Sequence, residues 1–140
     1  MEKFISNSVE ETEAIAQKIA KTTPLGTVIE LIGDLGAGKT SFSKGFAKGL
    51  GITATITSPT FVLLNTYEGD GIELNHFDLY RIEDEEELDL MGFQEIFCNK
   101  SAIYLVEWPQ IAEKMLPQSK YVVTINKIDD NSREIIWEKK

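Results

Sequence analysis

Two strongly apolar, strand-length runs at 27–32 and 102–106 sit among stretches whose apolar residues recur at helical spacing. Two further β-rich pairs, 61–67 with 72–80 and 121–128 with 133–138, flank short polar turns. Together they predict an α/β fold: a mixed central sheet, parallel in its core, extended by antiparallel hairpins and covered by helices on both faces. No repeats, linkers or low-complexity tracts interrupt it, so the 140 residues read as one domain, long enough to bury a core.

In chain order, Phe4 and Ile5 suit a short edge strand. Ser8 followed by Glu11 fits a capping box. Val9, Ile15, Ala16, Ile19 and Ala20 then mark a helix over about 9–22, ended by Pro24 and Gly26. Thr27–Ile32 is too uniformly apolar for an exposed hairpin arm and reads as a buried strand. Phe42, Phe46, Ala47 and Leu50 share one face of the next helix, which Gly49 and Gly51 close. Residues 52–61 form a polar loop. Glu83 to Asp89 holds six acids in seven residues, suited to a helix N-terminus or to a basic partner. Phe93, Ile96 and Phe97 are expected to make core contacts from a short helix. Pro109 opens another, with Ile111, Ala112, Met115 and Leu116 on its buried face.

Between the first apolar run and its helix lies Gly33-Asp34-Leu35-Gly36-Ala37-Gly38-Lys39-Thr40, the pattern G-x-x-x-x-G-K-[ST]. Glycines let successive backbone N–H groups turn inward on phosphate oxygens, and the helix N-terminus adds its positive end. Lys39 is expected to reach the β- and γ-phosphates and the Thr40 hydroxyl to ligate Mg²⁺. This makes the fold P-loop NTPase-like. Such a site needs an acid at the C-terminal end of a neighbouring apolar strand. Glu107 follows the more thoroughly apolar run and has the better claim to Mg²⁺, directly or through water. Asp78 is placed either in the metal shell or on the attacking water. Thr60, presented by Pro59 from a polar loop, is the candidate sensor of the γ-phosphate. His76, the lone histidine, lacks metal partners and reads as a hydrogen-bonded structural residue.

The net charge of −9, from 14 basic and 23 acidic residues, argues against this chain gripping nucleic acid by itself. The single cysteine, Cys98, excludes an intrachain disulfide and is expected to be a small buried hydrophobe. The N-terminus lacks a signal-peptide core and no run reaches membrane-span length, so a soluble, cytoplasmic protein with no membrane partner is expected.

Five motifs, GDLGAGKT at 33–40, SPTF at 58–61, HFDLYR at 76–81, EELDLMG at 86–92 and VEWP at 106–109, resemble in order and spacing the TsaE family. The resemblance covers about residues 8–117, with a weaker match in the last hairpin. It implies an ATPase that binds ATP and Mg²⁺ and acts with the TsaB–TsaD pair. That machinery places threonylcarbamoyl on adenosine 37 of tRNAs reading codons that begin with A. The resemblance implies that hydrolysis, weak in the chain alone and stimulated by partners, resets the complex, and that tRNA is met only through the partners. It implies ATP contacts at Asp34, Leu35, Gly36, Ala37, Gly38, Lys39 and Thr40, with Thr40 and Glu107 on Mg²⁺. The family's SPT threonine falls on Thr60 and its HFD aspartate on Asp78. Trp108 matches a tryptophan associated with the family's site, and Thr12 and Arg133 are further candidates beside the nucleotide.

Three rivals are weighed. Asn126-Lys127-Ile128-Asp129 spells the guanine-selecting N-K-x-D and Asp89-Leu90-Met91-Gly92 spells D-x-x-G. Only 11 residues follow Asp129, reading as a returning strand rather than a helix, and the D-x-x-G sits in an acidic helical segment. A small-molecule kinase usually brings several arginines to the transferred phosphoryl group, and only Arg81 and Arg133 exist here. A nucleotide-dependent binding module with almost no turnover overlaps the ATPase reading. So few arginines also argue against an internal arginine finger, leaving partner contact to complete the site by ordering the Thr60 loop.

Overall fold

The computed structural model describes residues 1–34, 36–53, 64–69, 71–117 and 120–140. Leu35, Thr60 and the motif at 58–61 lie outside the described residues, as does the strand start expected at 61. The strands are β1 (Glu2–Ser6), β2 (Val28–Ile32), β3 (Leu64–Gly69), β4 (Ile72–Asp78), β5 (Ala102–Glu107), β6 (Tyr121–Lys127) and β7 (Arg133–Lys139). The helices are α1 (Val9–Thr22), α2 (Lys39–Gly49), α3 (Glu85–Leu90) and α4 (Phe93–Ile96), with a 3₁₀ turn at Pro109–Ala112.

Among the described residues the strands form one seven-stranded sheet in the order β1-β7-β6-β2-β5-β4-β3. β6, β2, β5 and β4 are mutually parallel; β7 and β1 on one flank, and β3 on the other, pair antiparallel. The expected parallel core with antiparallel hairpins is therefore present. Each face of the sheet carries a core. α1 and α2 cover Ile29, Leu31, Leu74, Ile103 and Leu105. On the other face Leu88 of α3 and Phe93 of α4 pack with Val28, Phe77, Tyr104 and Val106. Rings of Phe77, Phe93, Phe97 and Tyr104 meet edge-on or tilted, and the Tyr104 hydroxyl donates to the Ile96 carbonyl at 2.8 Å, satisfying the polar tip of a wholly buried ring.

Several local expectations change. Ser8 caps α1, accepting from the Glu11 N–H at 3.1 Å, but the Glu11 carboxylate takes the N–H of Asn7 rather than closing the box on Ser8. Val9 is exposed, because the first turn of α1 overhangs a cavity; Thr12 takes the buried place. Gly49 is the last residue of α2, and Gly51, at φ +81°, supplies the left-handed turn beyond it. Gly45 and Gly49 bring α1 close. A Cβ at Gly45 would stand 2.2 Å from the Glu13 carbonyl oxygen, and one at Gly49 would stand 2.7 Å from that of Gln17. Cys98 is exposed: Phe97, beside it after α4, takes the inward position in the aromatic cluster. After Trp108 the chain makes a short 3₁₀ turn over Pro109–Ala112 rather than a helix. Ala112 and Leu116 are still buried there, with Ile111 and Met115 packed against them.

Candidate functional site

The sheet's register assembles the site. β2 ends at Ile32 and runs into the glycine-rich turn, whose helix α2 starts at Lys39. β5 lies beside β2 with Leu31 opposite Glu107, and β4 lies beside β5 with Asp78 opposite Glu107. The period of two along each strand puts Ile29, Leu31, Ile103, Leu105 and Leu74 on the α1/α2 face, so Glu107, Asp78 and His76 point to that face too. Parallel strands end together, which delivers both acids to the loop's edge of the sheet.

One cavity of about 410 Å³ is lined by Ser8, Val9 and Thr12 of the α1 start, by Gly36 and Gly38 to Ser41, by Asp78, Glu107 and Trp108, and by Asp130, Asn131 and Arg133. The structure thus brings together Thr12, Gly36, Gly38, Lys39, Thr40, Asp78, Glu107, Trp108 and Arg133. Ala37 is buried beneath the loop and Asp34 is exposed at its start, its carbonyl accepting from the Ala37 N–H at 3.0 Å. Thr12 is only 3% exposed, and its hydroxyl is already hydrogen-bonded to Ser6 Oγ at 2.7 Å.

The start of α2 is prepared for an anion. Gly36 and Gly38 adopt φ of +80° and +106°, a left-handed backbone that a side chain would resist. No side chain caps α2 and its first turn holds no acid. α1 and α3 are capped by Ser8 and Asp84 and carry Glu10, Glu11 and Glu85 to Glu87 in their first turns. Of these three helices, the one with neither cap nor acid is the one beside Lys39.

Lys39 is nearly buried. Its ammonium donates to the Gly33 carbonyl at 2.8 Å and lies 3.7 Å from the centre of the Trp108 ring. Burial holds this amine below the usual lysine range, and the charges of Glu107, Asp78 and Asp34 act against that. Burial likewise raises the Asp78 carboxyl; the hydrogen bond from the Tyr80 N–H to its Oδ1, at 3.0 Å, lowers it, and neighbouring Glu107 raises it. Trp108 has a left-handed backbone (φ 55°), unique for a non-glycine among the described residues, and its ring packs on Tyr80 with centroids 4.9 Å apart.

Arg133 does a job its sequence position did not suggest. From β7 its Nε donates to the Ala37 carbonyl at 2.9 Å and its Nη2 to that of Gly36 at 3.3 Å. It ties the carbonyls of Gly36 and Ala37 to the last hairpin. Sequence reasoning also missed the contributions of Ser8, Val9, Asp130 and Asn131, which carry no motif; their only signal was closeness to a helix start and a hairpin turn.

The donor set fits Mg²⁺ held with a nucleotide. It offers a hydroxyl and carboxylates, all hard oxygen donors, and among the described residues no cluster of three or more His, Cys, Asp or Glu is arranged for a metal alone. A cation that keeps waters and phosphate oxygens and takes one or two protein ligands suits that arrangement.

The family model of the threonylcarbamoyl adenosine biosynthesis protein TsaE matches residues 6–135. The chain belongs to the TsaE family. It is 48% identical to the tRNA threonylcarbamoyladenosine biosynthesis protein TsaE of Bacillus subtilis, over 91% of this chain and 79% of that relative. Against the protein of the same name from Haemophilus influenzae it is 40% identical, over 77% and 68% of the two chains. The crystal structure of Bacillus subtilis YdiB superposes with a TM-score of 0.80 at 39% identity, covering 97% of this chain and 83% of that one. The family match spans both the glycine-rich loop and the β6–β7 turn as far as Arg133. Among the described residues, no helix is long and apolar enough to cross a membrane.

The N-K-x-D tetrapeptide of the TsaE chain runs off the end of β6. The Asp129 carboxylate accepts from the N–H groups of Asn131 and Ser132 at 2.9 and 2.8 Å, and Asn126 reaches across to Glu134 at 3.2 Å. Of the D-x-x-G, Asp89 lies in α3 and Gly92 just before α4, away from any strand end.

Proposed function

We propose that this chain, as one domain, is the Mg²⁺-dependent ATPase of tRNA threonylcarbamoyladenosine formation, working in the cytoplasm with TsaB and TsaD on the modification of adenosine 37. It converts ATP to ADP and phosphate, slowly alone and faster with its partners, and meets tRNA only through them. The observation that carries this is the single cavity in which an uncapped helix N-terminus and the Lys39 ammonium face Asp78 and Glu107.

In this reading the loop from Asp34 through Leu35, Gly36, Ala37 and Gly38 to Thr40 receives the phosphates on its N–H groups. Lys39 leaves the Gly33 carbonyl and the Trp108 ring for the β- and γ-phosphates. Thr40 and Glu107 hold Mg²⁺, which when bound neutralises charge on the phosphate oxygens. Asp78 completes the metal shell or orients the attacking water. Thr60 senses the γ-phosphate. The wall formed by Ser8, Val9, Thr12, Asp130, Asn131 and Arg133 borders the base. Capture of the Asp129 carboxylate by its own turn favours adenine over the guanine-selecting reading, because guanine recognition would need that carboxylate free.

Titration with ATP and GTP, followed by phosphate release with and without TsaB–TsaD, tests this. Preference for ATP and stimulation by the pair are expected. A strong GTP preference, or a lone chain already as fast as the complex, would overturn it.

A further inference from the structure

His76 is 1% exposed and sits two residues before Asp78 on β4, on the face that holds the site. It stands opposite Leu105 in register, hence diagonal to Glu107, within reach of a long side chain. Its Nε2 is hydrogen-bonded to Glu107 Oε2, and its Nδ1 finds no partner among the described residues. Since nothing there accepts from Nδ1, the tautomer that suits both observations carries its proton on Nε2 and donates it to the carboxylate.

We infer that His76 is a positioning residue for Glu107. With Oε2 held, the carboxylate has Oε1 left to offer the cavity. The alternative partner for a loose Glu107 is close by: its charge is the strongest acting on the Lys39 ammonium, yet among the described residues the two form no ion pair. A Glu107–Lys39 pair would take a metal ligand and a phosphate ligand out of the site together. The His76 N–H keeps them apart, as outer partners of metal ligands commonly do. A core histidine with only a packing role would be served as well by any side chain of its volume, and this one would not.

The inference rests on the Mg²⁺·ATP reading. The experiment compares His76→Gln, which keeps an N–H donor at about the reach of Nε2, with His76→Leu and with His76→Asn, whose amide falls short. The measured quantities are nucleotide affinity by calorimetry, in EDTA and over a Mg²⁺ series, and the melting temperature. His76→Leu and His76→Asn should raise the half-saturating Mg²⁺ concentration about tenfold or more. His76→Gln should stay near wild type at equal melting temperature to His76→Asn. Should the leucine variant fail to fold, the glutamine and asparagine pair decides. Equal Mg²⁺ response in Gln and Asn variants, or a lowered melting temperature with a wild-type Mg²⁺ response, would overturn the inference alone. Wild-type protein whose ATP affinity ignores Mg²⁺ would overturn the reading beneath it.

Discussion

Glu30 and Glu107 are both 4% exposed, on neighbouring parallel strands, and they face opposite sides of the sheet. Glu30 sits in the middle of β2 on the aromatic face, with Lys120 Nζ at 3.1 Å; the same ammonium reaches Glu113 at 2.8 Å. Glu107 ends β5 on the other face, with a histidine rather than a lysine against it and the one nearby lysine turned to a carbonyl. Burial of a carboxylate therefore does not mark function here. What distinguishes the two is whether the nearby cation is spent on the acid, as Lys120 is, or turned to a carbonyl beside the cavity, as Lys39 is, which the proposed function reads as kept for a ligand.

The comparison is broken most forcefully at Lys120. Lys120→Met leaves Glu30 buried without its cation and should cost about 3 kcal/mol, read as a lowered urea midpoint. Adding Glu30→Gln should recover much of that loss. At the other acid the split is reversed. Glu107→Gln keeps an oxygen for His76, so the urea midpoint should stay near wild type, while ATP hydrolysis falls about 100-fold or more through loss of the charge. A large stability loss in that variant would erase the distinction.

A smaller effect is the pH dependence at Glu30. Burial raises the Glu30 carboxyl above its ordinary 4.5, against the opposing Lys120 ammonium paired with it. The folded state therefore binds a proton the unfolded state has released. The matching stability is complete below 4.5 and is lost as pH rises through the folded-state value. Between pH 4 and pH 7 Glu30→Gln should thus lose less stability than wild type in urea titrations; parallel curves would contradict it. The smallest effect is optical. ATP should alter the emission of Trp108 as Lys39 leaves its ring. Trp137, stacked on Tyr121 with centroids 4.4 Å apart, should stay unchanged, as Trp137→Phe and Trp108→Phe variants would reveal.

Much of this was legible from spacing. Apart from Thr27 and Glu30, the runs at 27–32 and 102–106 are apolar because both strands are central, buried on two faces, and each appears as expected. Ser8 and the acids from Glu85 announced helix starts through local hydrogen bonds and dipoles, which nearby residues suffice to set. Where a side chain points at an element's edge was less legible. Val9 and Cys98 have apolar character and sit exposed, because α1 starts over a cavity and Phe97 had already filled the aromatic cluster.

The sequence by itself determined the glycine-rich turn before α2, the two acids expected near it, and the parallel and hairpin elements, since each depends on residues close in the chain. Only the tertiary structure decided which acid is served by which base. Glu30 meets Lys120 and Glu107 meets His76 because β2 lies between β5 and β6 while β4 lies outside β5, an order that no local pattern records. The same holds for Arg133, which meets the loop across 96 residues of chain. Such contacts form when strands pair over long separations, so the chemistry of this site belongs to the sheet's order as much as to its motifs.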